Sequence, residues 1–443
     1  MKLVFKRKLY ERMLAWKKER QGKTALLIEG ARRVGKSTLV EEFARREYKS
    51  FMLIDFNRAS NKVKSLFDDL MDIDTLFLQL QTIYNVSLTE RQSVIVFDEV
   101  QQCPKARQAI KYLVNDGRYD YIETGSLISI KKNTKEITIP SEEERLQLHP
   151  LDMEEFRWAM GDETSLPLLR TFYEKRLPCG AAHRNMMRDL RLYMLVGGMP
   201  QAVNEYIETN DLSKVDKVKR DIIRLYLDDF QKIDTSGRVA ELFKNVPSQL
   251  SANSYRYKPL QVLGTTGEDK LHELLHNLED SKTVLFQYHS NDPNVGMSLT
   301  KDVSRFKMFL SDTGLFVTLA FWDKDFTENE IYQKLLYDKL PANLGYVYEN
   351  LVAQMLASAG NQLFFFTWPR DDKHNYEIDF LLPQGSKILP IEVKSSGYST
   401  HASLDEFCKK FHNRINSSSL AYTKDLKTND KTLYLPIYML PLL

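Results

Sequence analysis

The chain has 443 residues, 43% hydrophobic and 28% charged: enough length for roughly two to four domains and enough apolar content to bury their cores, so a disordered or fibrous chain is excluded. Its 62 basic and 60 acidic residues leave a formal charge of +2, so any surface for a polyanion must be local. No run approaches the roughly 20 apolar residues that span a bilayer and no signal-like stretch follows the basic start, so a cytoplasmic protein with no membrane partner is expected.

Residues 2 to 20 set Lys2, Lys6, Arg7, Lys8, Arg12, Lys17, Lys18 and Arg20 among Leu3, Phe5, Leu9, Met13, Leu14 and Trp16 at helix-like spacing. The pattern predicts a solvated helix packed on the core that follows, with contact to DNA or to a nucleotide base as the alternative.

The apolar run Ala25-Leu26-Leu27-Ile28 then meets Gly30-Ala31-Arg32-Arg33-Val34-Gly35-Lys36-Ser37, which fits G-x-x-x-x-G-K-[ST] without a mismatch, and Thr38 to Ala44 continue with helical character. A strand, a Gly-bearing loop and a helix in that order cradle phosphates. Gly30 and Gly35 can take backbone angles closed to other residues, so successive N–H groups turn inward at the helix N-terminus. Residues 30 to 38 are therefore the expected ATP-binding set, with Lys36 reaching the β and γ phosphates and the Ser37 hydroxyl offered to Mg²⁺.

A second apolar run, Val94-Ile95-Val96-Phe97, ends in Asp98-Glu99. A parallel strand buried on both faces reads this way, and its carboxyl end is where open α/β sheets bind ligands. Asp98 is expected to hold Mg²⁺ and Glu99 to polarise an attacking water. A third strand, Tyr119 to Glu123, ends at Thr124-Gly125-Ser126, placing two hydroxyls at the same edge. Thr124 and Ser126 are candidate γ-phosphate sensors, with an ordinary polar turn as the alternative.

Around Arg145 to Phe156 a short strand gives way to a Pro-initiated helix. Residues 154 to 228 then read as helical, broken at Val196-Gly197-Gly198-Met199-Pro200, where Gly-Gly ends one helix and Pro starts the next. These pieces in this order, with Phe97-Asp98-Glu99-Val100-Gln101, Thr124-Gly125-Ser126, Leu148-His149-Pro150-Leu151 and Glu155-Phe156, resemble the bacterial and archaeal AAA-like ATPases whose core is followed by a DUF4143-type region. The resemblance spans nearly the whole chain. It implies an α/β protein with a P-loop ATPase core on a parallel sheet (1–150), a helical lid (151–230), a winged-helix segment (231–330) and a nuclease-like α/β domain (335–443). Where that family usually has Gly-Arg, this chain has Glu144-Arg145. Arg145 is left either as a γ-phosphate sensor, acting in its own subunit or on a neighbour in an oligomer, or as a surface residue.

Residues 239 to 290 show the order of a winged helix: one helix over Val239 to Leu250, a second over Gly267 to Leu278, then the strand Thr283 to Tyr288. The second helix carries Glu268, Asp269, Glu273, Glu279 and Asp280 against Lys270, so a structural or dimerising role is expected ahead of major-groove binding.

Asp379, followed by Glu392-Val393-Lys394, fits the D-x-n-E-x-K core of the PD-(D/E)xK nuclease fold. Alternate strand residues share a face, so Glu392 and Lys394 point the same way. Asp379 and Glu392, with Glu349 on the preceding helix, form a candidate set for Mg²⁺ or Mn²⁺, and Lys394 would stabilise or deprotonate the attacking water. The expected function is Mg²⁺-dependent ATP binding and hydrolysis coupled to DNA binding or processing. The alternative is an ATP-driven switch whose C-terminal domain binds DNA or protein and never cuts.

Overall fold

The computed structural model describes residues 4–68, 72–126, 137–252, 256–323, 330–337, 339, 345–429 and 431–443; Lys2 and Leu3 of the basic stretch lie outside them. The chain folds as two compact units, one of residues 1–149 with 276–282, the other of 150–275 with 283–443.

The first unit is built on five strands: β1 (Ala25–Glu29), β2 (Ser50–Asp55), β3 (Ser93–Asp98), β4 (Asp120–Gly125) and β5 (Glu143–Gln147). They lie in the order β2-β3-β4-β1-β5 with every pairing parallel. β3 and β4 are buried along their whole length, as strands covered on both faces must be. The pleat sends alternate side chains to opposite layers. Leu27, Ile95, Phe97 and Tyr121 meet Ala106, Ile110 and Leu113 of the helix Pro104–Asp116. Leu26, Ile28, Val94, Val96 and Ile122 meet Val40 and Phe43 of the helix Lys36–Glu47, with Met13 and Trp16 of Leu9–Arg20 in the same cluster. Leu9–Arg20 of the basic N-terminal stretch thus form a packed helix, as their spacing predicts.

In the second unit, the helix Ala181–Val196 stops at Gly197, and Pro200 opens the helix Pro200–Thr209. The structure adds a reason for the two glycines. Gly197 has φ +81°, and a Cβ on Gly198 would lie 2.0 Å from the Leu151 carbonyl oxygen. That close approach carries a hydrogen bond from Leu151 N–H to the Gly198 carbonyl at 2.7 Å. The wholly buried Asp312, N-cap of the helix Thr313–Ala320, ties that helix to the junction, accepting Gly198 N–H at 2.6 Å and Leu315 N–H at 2.8 Å.

Eight strands form the other sheet of this unit: β6 (Val284–Ser290), β7 (Lys301–Leu310), β8 (Leu363–Pro369), β9 (Asn375–Gln384), β10 (Lys387–Lys394), β11 (Ser418–Tyr422), β12 (Lys427–Asn429) and β13 (Thr432–Pro436). Their order is β12-β13-β11-β10-β9-β8-β6-β7. This corrects the winged-helix expectation. The strand read as a wing is β6, paired parallel to β8 and antiparallel to β7, so it is an inner strand of the C-terminal sheet. Its apolar run reflects that enclosure. The single helix expected over Val239 to Leu250 is two, Arg238–Lys244 and Val246–Ser251, with Pro247 near the start of the second.

Candidate functional sites

The loop between β1 and the helix Lys36–Glu47 has the backbone its glycines allow: φ is +158° at Gly30, +69° at Arg33 and +100° at Gly35. A Cβ on Gly30 would stand 2.4 Å from the Leu148 carbonyl oxygen, so that position accepts no side chain. Lys36 is buried and donates to the carbonyls of Gly30 at 2.9 Å and Ala31 at 3.0 Å, curling its ammonium back over the loop. Burial lowers its pKa, against the opposing pull of Glu99 and Asp98, and Arg32 adds to the lowering. Ala31, Val34 and Thr38 complete the turn, Val34 wholly buried and Thr38 in the first helical turn.

The first turn of the helix Lys36–Glu47 then meets the ends of β3 and β4. Ser37 Oγ donates to Asp98 Oδ1 at 2.7 Å, and Thr124 Oγ1 donates to the same oxygen. Thr124 in turn accepts Glu99 N–H at 3.2 Å. Glu99 stands in the left-handed region at φ +54°, where a residue with a side chain is strained, and the Thr124 hydroxyl anchors its backbone there. Thr124 therefore ties the two acids together rather than standing apart from them, and Ser126 is buried just beyond the end of β4. Arg145, on the edge strand β5, pairs with Glu29 at 3.3 Å and Glu143 at 3.4 Å.

Arg7 has no motif around it, and its spacing marks it as one cation of a solvated stretch. It is 6% exposed, and its guanidinium donates to the Val34 carbonyl at 3.1 Å and to the His149 carbonyl at 2.5 Å. It braces the phosphate loop from behind. Arg7→Ala is expected to leave two buried carbonyls without their donors, at about 1–3 kcal/mol each, and to loosen the loop. ATP titration followed by calorimetry should show weaker binding, with Arg7→Lys recovering only part because a point ammonium cannot span both acceptors.

The C-terminal residues come together differently from the pattern expected. Lys394 Nζ meets Glu392 Oε1 at 2.8 Å, as their shared face requires. The register between β8 and β9 shifts, with Phe364 opposite Leu381 but Phe366 opposite Ile378, so Asp379 falls in a bulge. The buried Gln287 side chain holds that bulge, donating to the Asp379 carbonyl at 2.5 Å and the Phe364 carbonyl at 3.2 Å. Asp379 Oδ2 accepts Val393 N–H at 2.7 Å, and Glu392 Oε2 accepts Leu404 N–H at 3.2 Å. Glu349 pairs instead with Lys307, whose Nζ lies 2.6 Å from both Glu349 Oε1 and Glu377 Oε1. Among the described residues no group of three or more His, Cys, Asp or Glu is arranged to hold a metal ion. The expected ligand set of Glu349, Asp379 and Glu392 is thus divided among two lysines and two backbone amides, and a resident metal does not fit it as arranged.

The electrostatics follow that division. Burial, then Glu349 and Glu377, push Asp379 well above the usual carboxylate range. Burial opposes the charge on Lys307, but Glu349, Glu377 and Asp379 outweigh it and hold the ammonium above its ordinary pKa. Lys394 is likewise raised, with Glu392 and Asp379 overcoming its burial. Lys307 and Glu377 belong to no motif. The signal for Lys307 is a lone cation inside the apolar run Phe306-Lys307-Met308-Phe309-Leu310.

The parallel sheet and the loop that follows β1 have the arrangement of a P-loop domain. Residues 22–157 match the family model AAA_14, an AAA domain, while residues 187–325 match DUF8612 and residues 344–440 match DUF4143, both domains of unknown function. No curated protein matches the chain. Among solved structures it is similar to the Walker-type ATPase paby2304 of Pyrococcus abyssi, at 18% identity over 71% of this chain and 96% of that one, with a TM-score of 0.44. It is also similar to a signal transduction ATPase with numerous domains and a tetratricopeptide repeat sensor from Pyrococcus horikoshii, at 13% identity over 80% of this chain and 48% of that one, with a TM-score of 0.29. The Aeropyrum pernix ORC1 protein in complex with DNA is matched at 14% identity over 72% of this chain and 93% of that one, with a TM-score of 0.26. No helix among the described residues is long and apolar enough to cross a membrane.

Proposed function

We propose that this protein is an ATP hydrolase whose nucleotide cycle serves the engagement of nucleic acid by its C-terminal unit. The observation that carries the ATPase half is the convergence of the Ser37 and Thr124 hydroxyls on Asp98 Oδ1, one residue before Glu99. A hydroxyl and a carboxylate oxygen are the donors Mg²⁺ prefers, and Mg²⁺ bound to them would neutralise charge on the phosphate oxygens. Lys36, whose ammonium donates to neutral carbonyls at 2.9 and 3.0 Å, is poised to exchange them for phosphate. Glu99, fixed through its backbone to Thr124, would orient the attacking water, and Ser126, buried just past the end of β4, would sense the terminal phosphate.

For the C-terminal unit, a specific observation favours the reading in which it binds without cutting. Lys307 already supplies positive charge between Glu349 and Glu377, at 2.6 Å from each. Lys307→Met should strip both carboxylates of their partner at a cost of roughly 3–5 kcal/mol. Thermal melts are expected to fall in chelator and to recover with Mn²⁺, while Lys307→Arg stays near wild type.

The deciding experiment follows phosphate release and DNA cleavage together, on single-stranded and duplex DNA with Mg²⁺ or Mn²⁺, with and without ATP. Phosphate release over intact DNA supports the switch. Cleavage that is lost in Asp379→Ala or Glu392→Ala while ATP hydrolysis persists would establish a nuclease instead.

A further inference from the structure

The C-terminal unit holds a cavity of about 950 Å³ near the start of β9, in which Arg256, Lys258 and Arg305 supply positive charge and no Asp or Glu is among the described lining residues. Gln249, Gln261 and Asn375 add amide donors and acceptors to the same wall. In a chain whose formal charge is only +2, these three cations are a local concentration of positive charge.

The cavity is built from fixed parts. Tyr257, 3% exposed, donates its backbone N–H to the Phe306 carbonyl at 2.6 Å and its hydroxyl to the Leu242 carbonyl at 2.8 Å, and its ring stacks on Phe306 at 6.1 Å. That anchor sets Arg256 and Lys258, its two neighbours, beside Arg305, the neighbour of Phe306. The Lys258 N–H is held in turn by Gln249 Oε1 at 3.1 Å. Arg305 itself lies where β7 slips against β6, since Tyr288 pairs with Phe306 but His289 with Asp302, and bulges of this kind re-aim a side chain. Its guanidinium is steadied by Thr367 Oγ1 at 2.6 Å.

The wall also leads somewhere. Two positions along β7 from Arg305 is Lys307, and two along β9 from Asn375 is Glu377, so cavity and carboxylate cluster occupy successive same-side positions on these strands, about 7 Å apart. Thr367, which receives Arg305, is the register partner of Glu377, which meets Lys307. Leu260 and Val303, next to Gln261 and two residues before Arg305, are exposed at 51% and 62%. Unstacked bases present apolar faces to such side chains, whereas a duplex hides them.

We propose that this cavity takes the phosphodiester backbone of a single-stranded nucleic acid and leads it toward the Lys307–Glu377 cluster. The proposal rests on the reading that the C-terminal unit engages nucleic acid. Fluorescence anisotropy of a labelled oligo(dT), in chelator and between about 50 and 200 mM salt, tests it. Wild-type protein should bind the single strand in preference to a hairpin duplex. The double variant Arg256→Ala/Lys258→Ala should weaken binding roughly tenfold and flatten the logarithmic salt dependence by about 0.7 for each phosphate no longer neutralised. Arg305→Ala should do the same, while Lys62→Ala, an exposed lysine of the first unit, and the ATP hydrolysis of all variants stay at wild-type values.

Binding by wild type that both sets of variants retain would overturn the cavity as the site and leave the nucleic-acid reading standing. Absence of binding to either DNA form by wild type would overturn both. Competition by inorganic phosphate or a mononucleotide at the same concentration of phosphate groups as the oligonucleotide would overturn the strand in favour of a free phosphorylated ligand.

Discussion

Lys36→Ala is expected to abolish measurable ATP binding, and Glu99→Gln to abolish turnover while leaving binding intact. Lys36 is buried at the loop, and among the described residues its ammonium donates to the carbonyls of Gly30 and Ala31. Removing such a charge from beside a phosphate costs roughly 2–5 kcal/mol, or about 30- to 5,000-fold in Kd. Glu99 makes a different contribution. Its backbone is held by Thr124 at 3.2 Å, and exchanging its carboxylate for an amide keeps that anchor while deleting the base. A loss of about 10²- to 10⁴-fold in kcat with unchanged Kd is the signature of a group that handles the water's proton. Equilibrium titration beside steady-state phosphate release separates the two. If Glu99→Gln lost binding along with turnover, the assignment of Glu99 to the water would fail.

Gly198→Ala should destabilise the C-terminal unit more than any other single methyl group added to its surface or loops. The new Cβ would lie 2.0 Å from the Leu151 oxygen and 2.8 Å from its nitrogen, both main-chain atoms that cannot rotate away. Separating the segments also strains the Leu151 to Gly198 bond at 2.7 Å and the Asp312 bond to Gly198 N–H at 2.6 Å. A cost of roughly 3 kcal/mol is expected, lowering Tm by roughly 5–10 °C. Gly267→Ala is the control, since nothing lies within 4 Å of its added Cβ. Equal melting of the two variants would show that the segments are free to separate.

What the amino-acid sequence determined by itself was the chemistry that is local. The loop of residues 30 to 38 was legible because a strand, glycines, lysine, hydroxyl and helix lie in one contiguous stretch, and the apolar run ending in Asp98 announces a buried parallel strand. The break at Gly197 to Pro200 was legible for the same reason: helix termination depends on the residues at the junction. Its other cause was not legible, because the approach of Leu151 to Gly198 joins segments far apart in the chain.

Only the tertiary structure decided which distant side chains answer one another. Arg7 belongs to Val34 and His149, a pairing that no spacing in a basic stretch could reveal. The strand expected as a wing became an inner strand of the second sheet, since an apolar run records enclosure but not its neighbours. At the D-x-n-E-x-K pattern, the shared face of Glu392 and Lys394 was legible and the partners of Glu349 and Asp379 were not. A one-residue bulge at Asp379 and a lysine from β7 redistributed the carboxylates, and both arise from register and burial between strands, where a shift of a single residue changes which groups meet.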